Sequence, residues 1–263
     1  MQSWTIHLRS ALEGVLDSTV EDTPEHRIAR YLLENCYVSN HVTIADVAEH
    51  CYASKSTVSR FCRTIGYRNF QELNQAMMQA YLTPPNDQFE RYLDTEDYRP
   101  LFYDDVEECL EIIRRHTKPE DVDQIARDLL THRRVGILGH LQSSAVSLSL
   151  QHDLLSLRKV TEAPTRANTQ YAFLENSGKD SFVMVISCMG DYLSTLPQRL
   201  TYPASDRPCL CLVTNNVRSA HDENFDYVIC LPCDNIYAQR TLLVRLFVSQ
   251  VVIRYAQLVH ETH

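Results

Sequence analysis

Apolar residues recur at helical spacing through the first 80 positions of the chain. Leu8, Leu12, Val15 and Leu16 mark one amphipathic stretch. Thr23-Pro24-Glu25 combines an N-cap with proline at the first helical position, and opens a helix whose apolar side is Ile28, Ala29, Leu32 and Leu33. A short helix follows from Thr43 to Tyr52. Another runs from Ser54 to Thr64 and stops at Gly66, and a fourth begins at Asn69-Phe70-Gln71-Glu72-Leu73. Periodicity then weakens across residues 82–100, where three prolines stand among many charges. This stretch reads as a linker with a short helix near Phe89–Leu93.

Beyond the linker the pattern changes. Helical spacing covers Asp104–His116 and Pro119–His132. Short β-rich runs follow at Val135–Leu138, Lys159–Glu162, Phe182–Ser187, Leu210–Thr214 and Tyr227–Leu231. Between them lie helical stretches at 143–157, 167–176 and 192–200, and a long helix from Tyr237 to Val259 closes the chain. Strand–helix alternation implies right-handed crossovers and a parallel sheet covered on both faces. The expected fold is an all-α domain at 1–80, a linker at 81–103, and a three-layer αβα domain at 104–263 with a mainly parallel five-stranded sheet.

Composition narrows the function classes. Hydrophobic residues are 44% and charged residues 22% of 263, the balance of an ordinary globular protein. No uninterrupted apolar run approaches the roughly 18 residues of a membrane span. The first residues lack a basic start, an apolar stretch and a cleavage site, so neither a membrane partner nor a secretory leader is expected. Nine cysteines at irregular spacing, several inside apolar runs, fit free thiols in a reducing cytoplasm better than a disulfide framework. The net charge of −9 argues superficially against nucleic acid. DNA, however, feels the local field. Residues 51–70 hold Lys55, Arg60, Arg63 and Arg68 and no Asp or Glu, a basic island in an acidic chain.

Spacing gives that island a role. In TIADVAEHCYASKSTVSRFCRTIGY, Ala48 is the small residue where two helices can cross closely. Ile44, Val47, Cys51, Val58 and Phe61 face a core. Ser54 is a good N-cap for the second helix. Lys55, Ser56 and Thr57 in its first turn can reach base edges. Ser59, Arg60 and Arg63 follow along the helix, and Arg60, Arg63 and Arg68 suit phosphates. This is how a recognition helix enters the major groove of double-stranded DNA, N-terminus first. Two ordinary packed helices with a polar surface are the alternative. Tyr52 stands in the turn, where a positive φ favours glycine.

From Thr23 to Ala76 the chain closely resembles the N-terminal domain of RpiR-type regulators. The resemblance rests on Arg27-Ile28-Ala29, Thr43-Ile44-Ala45-Asp46-Val47-Ala48, Ser54, Thr57-Val58-Ser59-Arg60-Phe61-Cys62-Arg63, Gly66-Tyr67 and Phe70-Gln71-Glu72-Leu73. It implies a sugar isomerase (SIS) domain behind the DNA-binding head, and control of sugar-phosphate, amino-sugar or related genes. Residues from about 105 to 263 resemble that SIS domain in layout.

Two segments then become candidate ligand loops. Gly139, Ser143 and Ser144 follow the first strand, where a tight turn and a helix start suit an anion. The family pattern Gly-x-Gly-x-Ser carries Leu141 in place of its second glycine. Ser187, Met189, Gly190 and Tyr192 follow the third strand. There the pattern Ser-x-Ser-Gly-x-Thr has lost two hydroxyls to Met189 and Tyr192. The closing helix has Thr241-Leu242 where many relatives have Ser-Arg. Simple sugar phosphates are therefore expected to bind weakly. Three readings stay open for this half: a pocket for another small molecule such as a sugar derivative, a domain kept only for assembly, and an isomerase-like enzyme. No acid/base pair can be named for catalysis, and no cofactor motif is present. Cys230-x-x-Cys233 lacks a second ligand pair, Cys209 and Cys211 share one strand face, and His132, His140, His152 and His221 form no metal-ligand spacing. A homodimer or higher even oligomer is expected, because one head makes too few base contacts, with the 237–259 helix contributing to the contact.

Overall fold

The computed structural model describes residues 3–36, 42–82, 89–188, 202–233 and 239–261. The chain divides into two compact units, residues 1–86 and 87–263.

The first unit is all helical: α1 (Ser3–Ser18), α2 (Pro24–Asn35), α3 (Ile44–His50), α4 (Lys55–Thr64) and α5 (Phe70–Leu82). Capping sets the helix starts. The Thr23 hydroxyl accepts the His26 N–H at 3.3 Å ahead of Pro24. Thr43 and Asp46 form a reciprocal capping box, with the Thr43 N–H on the Asp46 carboxylate at 2.9 Å and the Asp46 N–H on the Thr43 hydroxyl at 3.2 Å. Leu8, Leu12, Ile28, Leu32, Val47, Val58, Phe61, Leu73 and Met77 form one buried core.

The second unit runs α6 (Glu90–Leu93), α7 (Arg99–His116), α8 (Pro119–Thr131), β1 (Arg134–Gly139), α9 (Gln142–Ser156), α10 (Ala167–Glu175), β2 (Ser181–Ser187), β3 (Cys209–Thr214), β4 (Tyr227–Cys230) and α11 (Arg240–Glu261). The strands pair in parallel in the order β1-β2-β3-β4. Alternate residues feed two cores. Val135, Ile137, Met184, Ile186, Cys211 and Val213 pack under α7, α8, α9 and α11. Leu138, Val183, Val185, Leu210 and Leu212 face Phe173 and Leu174 of α10. The domain is thus the expected αβα sandwich.

Three details differ from the sequence expectation. The sheet has four strands among the described residues, not five. The Lys159–Glu162 segment contributes a single parallel bridge, with the Glu162 N–H on the Val135 carbonyl at 2.9 Å and the Ile137 N–H on the Glu162 carbonyl at 2.8 Å. The next ladder bond would need an N–H from residue 164, which is proline. Second, α6 is the short helix expected near Phe89–Leu93, but α7 begins at Arg99, inside the expected linker. Pro100 sits in the first turn of α7, where a missing N–H is tolerated. Buried Asp105 of α7 accepts hydrogen bonds from the Tyr92 hydroxyl and from Arg91, the latter at 2.7 Å, and so ties this stretch to the second unit. Third, α11 is by length and composition apolar enough to cross a membrane. It reads this way because Leu243, Val244, Phe247, Val248, Val251, Tyr255 and Leu258 are buried in the second unit's core. The helix expected at 192–200 lies outside the described residues.

Candidate functional site

Helix α4 begins where the Ser54 hydroxyl accepts the Thr57 N–H at 3.1 Å, and the same oxygen lies 2.7 Å from Ser56 Oγ and 2.9 Å from Thr57 Oγ1. Val58, Phe61 and Cys62 are buried on its inner face. Lys55, Ser56, Arg60 and Arg63 are exposed on the other, and Thr57 and Ser59 lie half-buried at the margin. Arg68, also exposed, stands 4.0 Å from Glu72, while the Arg63 Nε reaches the Ser59 carbonyl at 3.4 Å. Among the described residues, Lys55 and Arg60 have no ion-pair partner. A helix thus presents its N-terminus and an acid-free cationic face to solvent, as a duplex requires.

The turn before α4 is built on Tyr52, whose φ is 49°. Its N–H bonds the Glu49 carbonyl at 3.2 Å and the Ala53 N–H bonds the Ala48 carbonyl at 2.9 Å. The turn does take the left-handed conformation that glycine prefers.

In the second unit, β1 and β2 end side by side. The connection after β1 runs first outward to Glu162 and then back across to β2, so their C-terminal ends form a topological switch point. Gly139, Ser143 and Ser187 meet there. A Cβ on Gly139 would lie 2.9 Å from the Ser143 backbone, so glycine lets α9 start against the strand end. The Ser143 hydroxyl, buried, accepts the Cys188 N–H at 3.3 Å and links α9 to β2. The first N–H groups of α9 are already engaged: Ser143 with the His140 carbonyl at 3.0 Å, Ser144 with the Leu141 carbonyl at 2.9 Å. The Ser144 hydroxyl also donates to Leu141, at 2.7 Å. Leu141 has φ 51° and ψ −124°, backbone space that suits glycine. Met189, Gly190 and Tyr192 lie outside the described residues.

Residues 17–84 match the model of the helix-turn-helix domain of the rpiR family. The chain is 24% identical, over 70% of its length and 66% of the other's, to an uncharacterized HTH-type transcriptional regulator from the aarA 3' region of Providencia stuartii. It is 45% identical over 19% of its length to an uncharacterized HTH-type transcriptional regulator of Caldanaerobacter subterraneus, covering 17% of that protein. The first unit is an rpiR-family helix-turn-helix domain. The second unit is similar in fold to a candidate phosphosugar isomerase involved in capsule formation from Bacteroides fragilis, at TM-score 0.51 and 9% identity, over 62% of this chain and 92% of that one. The chain therefore spans less than two thirds of the length of the curated relatives it matches.

Several supporting residues carried no role in the sequence reading. Within the rpiR-family domain, Arg27 of α2 donates from Nε to the Cys51 carbonyl at 3.0 Å and from Nη1 to the Asp22 carbonyl, bracing the end of α3. At the switch point, buried Gln170 donates to the Gly139 carbonyl at 2.7 Å and to the Pro164 carbonyl at 2.8 Å. The Thr214 hydroxyl donates to the Ser187 carbonyl at 2.8 Å. Burial pushes the Cys188 thiol above its ordinary range, against the opposing pull of Ser143 and the Arg240 guanidinium. Arg240 thus brings a cation near this end of the sheet.

Proposed function

We propose that the protein is a DNA-binding transcriptional regulator that reads double-stranded DNA through α4, and that its second unit assembles the protein and senses a small molecule derived from a sugar. The exposed cationic face of α4, set by the Ser54 cap, carries this reading. The family of the first unit and the names of its relatives support it. Lys55, Ser56 and Thr57 read bases; Arg60, Arg63 and Arg68 hold phosphates. Removing both Lys55 and Arg60 (Lys55→Ala with Arg60→Ala) lowers affinity and flattens its salt dependence, since losing a bidentate base contact costs about 1–3 kcal/mol and losing a phosphate contact weakens all sequences alike. An unchanged affinity and salt slope would sink the assignment of this helix.

The working form is a homodimer or higher even oligomer held by the second unit. The inner face of α11 is spent on its own core, so the contact falls on its outer residues, including Leu242 and Ile253. A strictly monomeric mass at micromolar concentration by light scattering contradicts this.

Simple sugar phosphates bind weakly, in the millimolar range. The Ser143 and Ser144 N–H groups and the Ser144 hydroxyl already serve internal bonds. Each charge-assisted hydrogen bond not made forfeits about 1.5–3 kcal/mol. Calorimetry with hexose, pentose and amino-sugar phosphates checks this; micromolar binding abolished by Ser143→Ala or Ser187→Ala would overturn it.

A further inference from the structure

At the opposite end of the sheet, three side chains far apart in sequence converge. Asp128 and His132 stand one turn apart near the end of α8, on the same side of the chain. Cys209 opens β3. One donor atom from each lies within 4.8 Å of the other two, offering oxygen, nitrogen and sulfur together.

The surroundings hold these donors in place. Asp128 is buried, and among the described residues no lysine or arginine pairs with it. The Tyr227 hydroxyl donates to its Oδ2 at 2.7 Å and the Gln124 amide at 3.0 Å, leaving Oδ1, which lies 3.7 Å from the His132 ring. His132 Nδ1–H donates to the Asp128 carbonyl at 2.9 Å, so the free lone pair is on Nε2. The Lys159 ammonium holds the His132 carbonyl at 2.7 Å. The His132 ring lies 5.9 Å from that of Phe182, which is the register partner of Cys209 on β2. A buried carboxylate is normally neutralised by a cation or by coordination to a metal. Here it faces an imidazole, itself oriented by its neighbours, and a thiol.

We propose that Asp128, His132 and Cys209 bind a thiophilic divalent cation of the zinc class, which clamps the end of α8 to the start of β3. The mixed N, O, S donor set selects zinc and similar borderline cations over magnesium or calcium, which take oxygen ligands. Three protein ligands leave one tetrahedral position for water. Binding releases the thiol proton to solvent, as thiolate coordination requires. The site lies at the opposite end of the sheet from the switch point, so its effect is on the second unit's stability.

The test uses the full chain, stripped with a chelator and titrated with Co2+ as an optical probe. The expected result is one tightly bound cobalt with thiolate-to-cobalt absorption, lost in Cys209→Ser and kept in Cys230→Ser. Zn2+ raises the Tm of the wild type and not of Cys209→Ser. Tyr227→Phe, which removes only the hydroxyl that orients Asp128, weakens affinity by about 10–100-fold. If His132→Ala fails to fold, the serine and phenylalanine variants still decide. No thiolate absorption in the wild type, or absorption unaltered by Cys209→Ser, would overturn the site.

Discussion

Replacing Tyr52 with glycine isolates the strain in the turn that sets α3 against α4. The Tyr52 side chain is 88% exposed, so its removal gives up little buried surface. The two bonds that close the turn are backbone bonds and survive the change. What remains is φ, at 49°. An L-residue in left-handed space is disfavoured by roughly 1–2 kcal/mol. Glycine loses more freedom on folding, which offsets about 0.5–1 kcal/mol of that. The net gain is about 0.5–1 kcal/mol, or a Tm rise of roughly 2–8 °C for a unit of this size. Valine at the same position is worse than tyrosine, because a β-branched residue tolerates positive φ poorly. Thermal melts of the full chain, followed by the fluorescence of Trp4, report on the first unit, since Trp4 is the single tryptophan and lies on α1. A fall in Tm for Tyr52→Gly, or equal behaviour of Gly and Val, would show that the positive φ at this turn stores no strain. A gain in stability accompanied by weaker DNA binding would mean that the ring is kept for contact with the duplex.

Two further outcomes follow from the second unit. Gly136→Ala places a Cβ 2.2 Å from the Phe173 ring, which also carries the Arg134 guanidinium at 4.1 Å; overpacking of this kind destabilises by about 1–3 kcal/mol in denaturant unfolding, and a change too small to resolve would contradict it. Arg127 first, and then Arg254, hold the Asp123 carboxyl below its ordinary range. A depressed folded value means that stability is present at neutral pH and lost as pH falls through the carboxylate range. Asp123→Asn therefore lowers Tm at neutral pH, and the gap from wild type closes on acidification; a gap that stays constant removes this role.

Much of the helix-turn-helix unit is legible in the sequence because its demands are local. A cap at Ser54, a small residue at Ala48 and core positions three or four apart are set within 25 residues, and the strained turn at Tyr52 is visible as a missing glycine. The role of Arg27 is not, because its partner, the Cys51 carbonyl, lies 24 residues away and is backbone. In the second unit, strands β1 to β4 stand out as apolar runs, yet the Lys159–Glu162 run reads as a strand while Pro164 stops its ladder. The prolines of 82–100 look like a linker, although Pro100 begins a helix. The serines of the switch point look free in sequence, and only the geometry shows them bonded to the turn. The Asp128, His132 and Cys209 cluster escapes any spacing rule, since a helix and a strand some 80 residues apart must meet to make it.

Whether α4 carries DNA binding is decided by the salt dependence of that binding. Genomic fragments retained by the full-length protein are selected, and affinity for the recovered site and for random duplex is measured by fluorescence anisotropy across ionic strength. With Arg60, Arg63 and Arg68 of two heads on phosphates, about six counterions are released, and the slope of log K against log salt is about −5. That slope is expected together with a clear preference for the recovered site. A slope near zero, or equal affinity for every duplex, would contradict it.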